Sequence, residues 1–181
     1  MSEEQEKGKC IVVDNGTYMM KAGFNNEEAP SQIFPTIYGD SRWYHRGQRL
    51  AVCVTMNCEC NKRYVGHEAF NRIDKYWTCA KFPRKYSSLS DDDWYQMEYI
   101  WQHALTQFDI YNISPKNIFM TETCFDKKSK REKTTQIIFE CFDIDKFMLY
   151  PQSLACLHST RKISGFIVNS GHDLIEYVPI Y

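Results

Sequence analysis

The chain has 181 residues and a mass of 21.5 kDa, with 43% hydrophobic and 25% charged residues, which suits one globular domain and excludes a disordered tail or a coiled coil. The 22 basic and 23 acidic residues leave a net charge of −1, so nucleic acid and anionic membranes are not expected partners. No stretch approaches the roughly 18 apolar residues that span a bilayer, which predicts a soluble intracellular protein.

The first part of the chain predicts a three-stranded meander. Residues 10–14 are an apolar run before Asn15-Gly16, a pattern typical of a buried strand that leads into a tight turn. A second strand is expected over 21–24 and a third over 32–37, where Pro35 favours a sheet edge or a bulge. Residues 39–48 show no regular pattern. Beyond them we expect short strands at 50–55 and 63–65 and a short helix at 67–75.

From Ser90 onward the hydrophobic pattern has a helical period. Ser90 is a candidate N-cap, and three aspartates follow it at the positive end of the helix dipole. The apolar residues of this segment fall on one stripe: Trp94, Met97, Trp101, Ala104, Leu105 and Phe108. The stripe predicts a helix packed against the core.

The remainder alternates strands and helices. Strands are expected at 117–121 and 147–150, and helices at 131–142 and 152–159, with Pro151 suited to a first helical turn. The inward residues of the first of these helices are predicted to be Thr134, Ile137, Ile138, Cys141 and Phe142. A final hairpin is expected from strands at 164–169 and 174–181. The order indicates a mixed α/β layer.

Eight cysteines are scattered along the chain, which argues against a disulfide framework. Most are expected to act as small apolar residues. Cys53, Cys58 and Cys60 could hold zinc together with His67, but paired C-x-x-C motifs are missing. We therefore favour a cysteine-rich surface hairpin.

A series of motifs, in order along nearly the whole chain, closely resembles the first half of actin. The opening match runs from Ile11 through Asp14-Asn15-Gly16-Thr17 to Lys21-Ala22-Gly23-Phe24. The later matches keep the family's order and similar spacing: 64–69, 81–83, 94–101, 131–137, Gln152, Ser170-Gly171 and 178–181. Such an ordered series is far more specific than one loop.

The resemblance implies the actin-like ATPase fold, which is RNase H-like and shared with Hsp70 and hexokinase. In that fold two halves close on an ATP–magnesium complex between two phosphate-binding hairpins. This chain would form the first half, a mixed five-stranded sheet with helices and a small inserted subdomain. We expect a flexible N-terminus (1–8), a first domain (9–160) with the insertion at 39–82, and the start of a truncated second domain (161–181).

The first phosphate hairpin keeps most of the family's pattern. By resemblance, the nucleotide-binding residues are Asp14, Asn15, Gly16, Thr17 and Lys21, and Asp14 lies near the metal. The family's second loop glycine is Tyr18 here, a large side chain where the backbone should approach phosphate closely. A plain β-turn with a solvated lysine is the alternative.

The second hairpin departs further from the family. Ser170 and Gly171 match, but Asn169 replaces the metal-facing aspartate, and His172 and Asp173 replace an acidic residue and a glycine. Glu176 stands where the family has a histidine near the attacking water, whereas Gln152 matches the glutamine that orients that water. A carboxylate near phosphate costs roughly 1 kcal/mol per charge pair even in water. Mg-ATP is therefore expected to bind weakly or not at all.

These observations predict a divergent, truncated actin-related protein that acts as a non-catalytic cytoskeletal or complex-forming module and does not polymerise alone. Protein partners, including actin or actin-related complexes, and a cytoplasmic, cytoskeletal location are implied by the resemblance. Truncation would also expose apolar surface and a strand edge at 178–181. The alternatives are a residual ATP-binding or ATPase protein completed by a partner chain, and a nuclear actin-related subunit of a chromatin complex.

Two surface segments add to this hypothesis. Residues 39–61 match the family's filament-contact loop by position and carry aromatic and basic side chains that suit a protein contact or a variable surface loop. The basic stretch 127–133 could be a nucleic-acid patch or a nuclear signal, although a solvated helix face explains it as well.

Overall fold

The computed structural model of the chain describes residues 9–40, 62–73, 79–83, 89–110 and 116–181. Its elements in chain order are β1 (Ile11–Asn15), β2 (Met19–Phe24), β3 (Gln32–Pro35), β4 (Tyr38–Asp40), β5 (Arg63–Val65), α1 (His67–Arg72), β6 (Cys79–Lys81), α2 (Asp91–Thr106), β7 (Asn117–Glu122), α3 (Lys128–Phe142), β8 (Lys146–Pro151), α4 (Gln152–Ser159), β9 (Gly165–Ser170) and β10 (Ile175–Ile180).

The largest sheet has five strands in the order β3-β2-β1-β7-β8. The first three strands form an antiparallel meander, while β7 and β8 run parallel to β1, so the sheet is mixed. The predicted α/β class, the five-stranded mixed sheet and the edge position of the strand that contains Pro35 are confirmed. Because β1, β7 and β8 are parallel, their carboxyl ends meet at one edge of the sheet, where the candidate site lies.

Helix α2 is fixed by its first turn and by its apolar stripe. The Ser90 hydroxyl accepts from the Asp93 backbone N–H, and the Asp93 carboxylate accepts from the Ser90 N–H, which completes a capping box. Trp101 and Leu105 of the stripe are buried in the core beside Val13 of β1. The predicted N-cap and inward stripe of this helix are confirmed.

Helix α3 covers the same core through Ile137, Ile138 and Phe142, as the sequence predicted. Cys141 was predicted to face inward, and that prediction is wrong because the side chain is exposed. It lies beside Glu98 of α2, at the rim of the seam between the two helices. Burial of part of its surface and, to a smaller extent, the Glu98 carboxylate raise the pKa of the Cys141 thiol.

A separate three-stranded sheet, in the order β5-β4-β6, belongs to the predicted insertion. Its middle strand, Tyr38–Asp40, overlaps a stretch for which the sequence predicted no regular structure, and its pairing with β6 was also not predicted. The strand predicted at 50–55 and the three cysteines of the zinc hypothesis lie outside the described residues. Helix α1 ends at Arg72 rather than at residue 75.

Strands β9 and β10 form a two-stranded antiparallel hairpin after the main sheet. Its two faces differ in environment. Glu176 points inward and is 2% exposed, whereas the neighbouring Tyr177 is 59% exposed on the outward face. Within the described residues, no helix is both long and apolar enough to cross a bilayer. The predicted domain boundaries at 8, 160 and 161, and those of the insertion at 39 and 82, stay predictions.

Candidate functional site

The turn between β1 and β2 forms one wall of a cleft at the carboxyl edge of the main sheet. Asp14 pairs with Lys21 across the hairpin, and the Lys21 Nζ lies 3.2 Å from Asp14 Oδ2. The turn is tight enough to require glycine at position 16, because a Cβ atom there would lie 2.3 Å from the carbonyl oxygen of Met19. The turn is further fixed by the Thr36 hydroxyl, which donates to the Gly16 carbonyl at 2.9 Å.

Asp14 accepts hydrogen bonds from two other elements of the site. The Thr121 hydroxyl on β7 donates to Asp14 Oδ1 at 2.8 Å. The Gln152 side chain, at the start of α4, donates to the same oxygen at 3.2 Å. Together with Lys21, these groups bond both carboxylate oxygens. Thr121 was not among the predicted site residues.

The hairpin of β9 and β10 forms the opposite wall. Asn169 Nδ2 donates to Gln152 Oε1 at 2.8 Å and lies 3.5 Å from Glu176 Oε2. The other carboxylate oxygen of Glu176 accepts from the backbone N–H of Cys124 at 3.2 Å. A continuous series of side-chain hydrogen bonds therefore joins Asp14 on one wall to Glu176 on the other. We call this series the polar relay; its members are Asp14, Gln152, Asn169 and Glu176.

Aromatic rings meet at the mouth of the cleft. The Tyr18 and His172 rings stack with centroids 4.8 Å apart and an interplanar angle of 16°. Tyr18 also stacks on Phe82, which follows β6, at 5.2 Å and 24°. His172 Nδ1 lies 2.9 Å from Asp173 Oδ1. We call these three rings the aromatic bridge; they join both hairpins and the small sheet.

The cleft has a volume of about 320 Å³ and brings together the sequence-predicted residues of both hairpins. Asp14, Asn15, Gly16, Thr17, Tyr18, Lys21, Gln152, Asn169, Ser170, Gly171, His172 and Glu176 all line it, and Asp173 lies beside it through its contact with His172. Among the described residues that line it, Asp14 and Glu176 are carboxylates and Lys21 is the one lysine or arginine, so their formal charge is −1 when histidine is counted as neutral. Such a lining does not favour a polyanion.

Several contributors were not predicted from the sequence. Thr121 and Cys124 bind the two carboxylates, and Phe82 extends the aromatic bridge. Trp101 of α2 donates from Nε1 to Asn15 Oδ1 at 3.4 Å, which attaches the first hairpin to the core. Trp101 carried a signal as part of the helical stripe, and Phe82 lies in the motif match at 81–83, but no pattern indicated the contacts themselves, because they join residues far apart in the sequence.

Two other predicted features have simple structural environments. In the described part of the chain, no group of three or more His, Cys, Asp or Glu side chains is arranged to hold a metal ion. The basic stretch begins α3, and its charges pair locally: Lys130 with Asp126 at 2.7 Å and Arg131 with Glu122 at 2.9 Å. Part of the basic stretch is therefore held in ion pairs with neighbouring acidic residues.

The fold and the cleft define an α/β protein in which two β-hairpins face each other at the carboxyl edge of a mixed sheet. Comparison with known proteins gives the family: the model described as Actin matches residues 5–181. A Dictyostelium discoideum protein named "Putative actin-29" is 32% identical over 179 residues, which cover 99% of this chain and 43% of that relative. The chain belongs to the actin family, and it spans less than half the length of this relative.

Proposed function

We propose that this chain is a non-catalytic member of the actin family that acts through protein contacts and does not use bound Mg-ATP. The observation that carries the proposal is the polar relay, in which Asp14 and Glu176 are bonded to the chain's own side chains. In the family resemblance, Asp14 would lie near the metal and the second hairpin would supply another carboxylate. Here the second position is Asn169, and a neutral amide is a poor ligand for Mg²⁺-bound water.

The charges near the second hairpin also oppose a triphosphate. Asp173 and Glu176 place two carboxylates where the family has a glycine and a histidine, while Lys21 already contacts Asp14. Each carboxylate within about 4 Å of a phosphate oxygen costs roughly 1 kcal/mol in water and more where water is excluded. The residues present therefore do not fit a magnesium–triphosphate group.

The backbone donors of the two turns support the same conclusion. The Gly16 N–H donates to the Asp14 carbonyl at 3.0 Å, and the Gly171 N–H donates to the Leu174 carbonyl at 2.9 Å. Phosphate-binding loops work by directing free N–H groups at the ligand. At these two glycines the N–H groups are bonded within their own turns and are not directed at a ligand.

A protein-contact role is supported by the outward face of the β9–β10 hairpin. Phe166 and Val168 on β9 are 63% and 56% exposed, and Ile175 and Tyr177 on β10 are 52% and 59% exposed. Contiguous apolar exposure of this kind marks contact surfaces. We propose that an actin-family protein is the partner and that the module works at the cytoskeleton in the cytoplasm. Both points rest on family membership.

The nucleotide part of the proposal is tested by calorimetry of the purified chain with Mg-ATP, with thermal unfolding measured in parallel. A ligand that binds only the native state must raise the Tm. We expect no heat of binding and no change in Tm. Micromolar binding with a higher Tm, lost in Asp14→Ala, would establish instead a nucleotide-dependent protein.

The partner part is tested by co-sedimentation with actin filaments. Val168→Lys places a charge on the outward face of the hairpin, while Ile33→Lys is a matched control, since Ile33 is 50% exposed on the far edge strand of the main sheet. We expect the wild type and the control to sediment with filaments and Val168→Lys to stay in solution. Equal behaviour of all three proteins would refute the proposed surface.

A further inference from the structure

Side chains of the chain itself bridge the two hairpins at two levels. The polar relay crosses the floor of the cleft, and the aromatic bridge crosses its mouth. Each level uses residues that differ from the family's pattern: Asn169 and Glu176 below, Tyr18 and His172 above. The departures from the pattern therefore meet in space as two contacting pairs.

The lower pair depends on the amide of Asn169. Asn169 donates to Gln152, whose own amide donates onward to Asp14, and the Asn169 NH₂ also faces Glu176 at 3.5 Å. Both ends of the relay are carboxylates, which only accept hydrogen bonds, so the middle members must be donors. An aspartate at position 169 would place a second negative charge against the buried Glu176 and remove the donor to Gln152. The Asn169 and Glu176 side chains are thus complementary to each other.

The upper pair depends on ring geometry. Tyr18 and His172 stack nearly parallel at 4.8 Å, and the Phe82 ring lies against both, with its centroid 5.2 Å from that of Tyr18 and 6.4 Å from that of His172. The Asp173 carboxylate, 2.9 Å from His172 Nδ1, holds the orientation of the imidazole. Aromatic pairs of this kind add stability beyond the apolar area that they bury.

We propose that these two levels form an internal clamp, which fixes the β9–β10 hairpin against the main sheet without any ligand. The clamp goes beyond the proposed function, because it concerns how the cleft is held and not whether nucleotide binds. The hairpin is two-stranded and largely exposed on its outer face, so it has little stability of its own. Strand β9 also packs against α4, and the clamp adds the side-chain contacts that hold the hairpin to the main sheet across the cleft.

The test is amide hydrogen exchange, followed by mass spectrometry, on the full chain without nucleotide. We expect protected amides in peptides from 165–180 of the wild type. Asn169→Asp and Tyr18→Ala should each speed exchange there about three- to tenfold, while peptides from β1 and β7 change little. Tyr177→Ala is the matched control, because its ring is exposed on the outward face of the same hairpin. Its exchange should follow the wild type.

A second variant distinguishes loss of the polar relay from a nonspecific loss of stability. Adding Glu176→Gln to Asn169→Asp removes one of the two facing carboxylates, so protection should return in part. Unprotected hairpin amides in the wild type, or equal exchange in Asn169→Asp, Tyr18→Ala and the control, would overturn the clamp. The same measurement with added Mg-ATP tests the proposed function separately. Slower exchange with nucleotide would contradict that function, but it would not change the comparison of variants made without nucleotide.

Discussion

Gln152 donates a hydrogen bond to Asp14 at 3.2 Å although the two residues are 138 positions apart in the sequence. The contact follows from the sheet order, because β1, β7 and β8 are neighbouring parallel strands and α4 begins directly after β8. Residues at the carboxyl ends of these strands must then lie at one edge. The sheet order by itself therefore brings the residues at the floor of the cleft together, without a ligand.

Replacement of Gly16 tests the first hairpin turn. In Gly16→Ala the new Cβ would meet the Met19 carbonyl oxygen at 2.3 Å, and backbone atoms cannot move away cheaply. We expect the free energy of unfolding to fall by about 1–3 kcal/mol in urea titrations. Gly165→Ala is the control, because its Cβ would meet only the end of the Leu157 side chain at 3.2 Å. Equal losses in both variants would contradict the turn argument.

The capping box of α2 gives a second prediction. Ser90→Ala removes the hydroxyl that accepts from the Asp93 N–H, so the free energy of unfolding should fall by about 1 kcal/mol. Ser129→Ala, at an exposed position in the first turn of α3, should change it by less than about 0.5 kcal/mol. Thermal unfolding of the three proteins measures both values. A Ser90→Ala protein as stable as the wild type would show that the cap is unimportant.

The same cap predicts a pH effect through Asp93. Burial alone would raise the pKa of this carboxyl, but hydrogen bonds from Ser90 and the Lys81 ammonium 3.0 Å away together hold the pKa below its ordinary value of 3.8. A lowered pKa in the folded state means stability that is present above about pH 4 and lost as the pH falls further. Asp93→Asn should be less stable than the wild type at pH 6, with the difference shrinking toward pH 3. A constant difference in Tm would contradict this.

His103 predicts a pH effect at higher pH. Burial lowers the pKa of this imidazole from its ordinary value of 6.5; Glu68 partly opposes the shift and His67 adds to it. The folded protein therefore favours neutral His103, which packs edge-on against Phe34 at 4.9 Å. Its contribution to stability is full above about pH 6.5 and falls as the pH drops through that value toward the folded pKa. His103→Gln should lose less Tm between pH 7.5 and 5.5 than the wild type.

The control for that measurement is His158→Gln, which replaces an exposed histidine on α4. We expect this variant to keep the slope of Tm against pH that the wild type shows. If His103→Gln also kept the wild-type slope of Tm against pH, the pH dependence of stability would arise from groups other than His103.

The sequence was informative about the fold where patterns were long. The stripe of α2 and the meander of β1–β3 have enough residues for the hydrophobic period to be unambiguous. Strands β4 and β6 have three residues each, too few to show a period. Strand β5 is equally short, and it was predicted as a segment that flanks the cysteine-rich loop. Their pairing is set by tertiary contacts, which no local pattern contains.

Prediction of the site was more uneven. The motif residues of both hairpins were found because they match the family's pattern, and the structure places them around one cleft. The contacts between Tyr18 and His172, and between Asn169 and Glu176, were not predicted. A motif relates each position to the family's ligand and not to the other positions of this chain. Where side chains take the place of a ligand, they contact one another, and a comparison made one position at a time does not reveal these contacts.

The last prediction restores the family's pattern at four positions of the cleft and leaves His172 unchanged. The four substitutions Tyr18→Gly, Asn169→Asp, Asp173→Gly and Glu176→His remove two carboxylates, return one to the metal-facing position and open the mouth. Asn169→Asp is tolerable in this set because Glu176→His removes the facing carboxylate. We expect measurable heat with Mg-ATP from this variant and none from the wild type, since each like-charge contact removed is worth roughly 1 kcal/mol or more. Adding Asp14→Ala should abolish the heat. If the restored chain keeps a cooperative thermal transition and still gives no heat, these four residues are not what keeps nucleotide out.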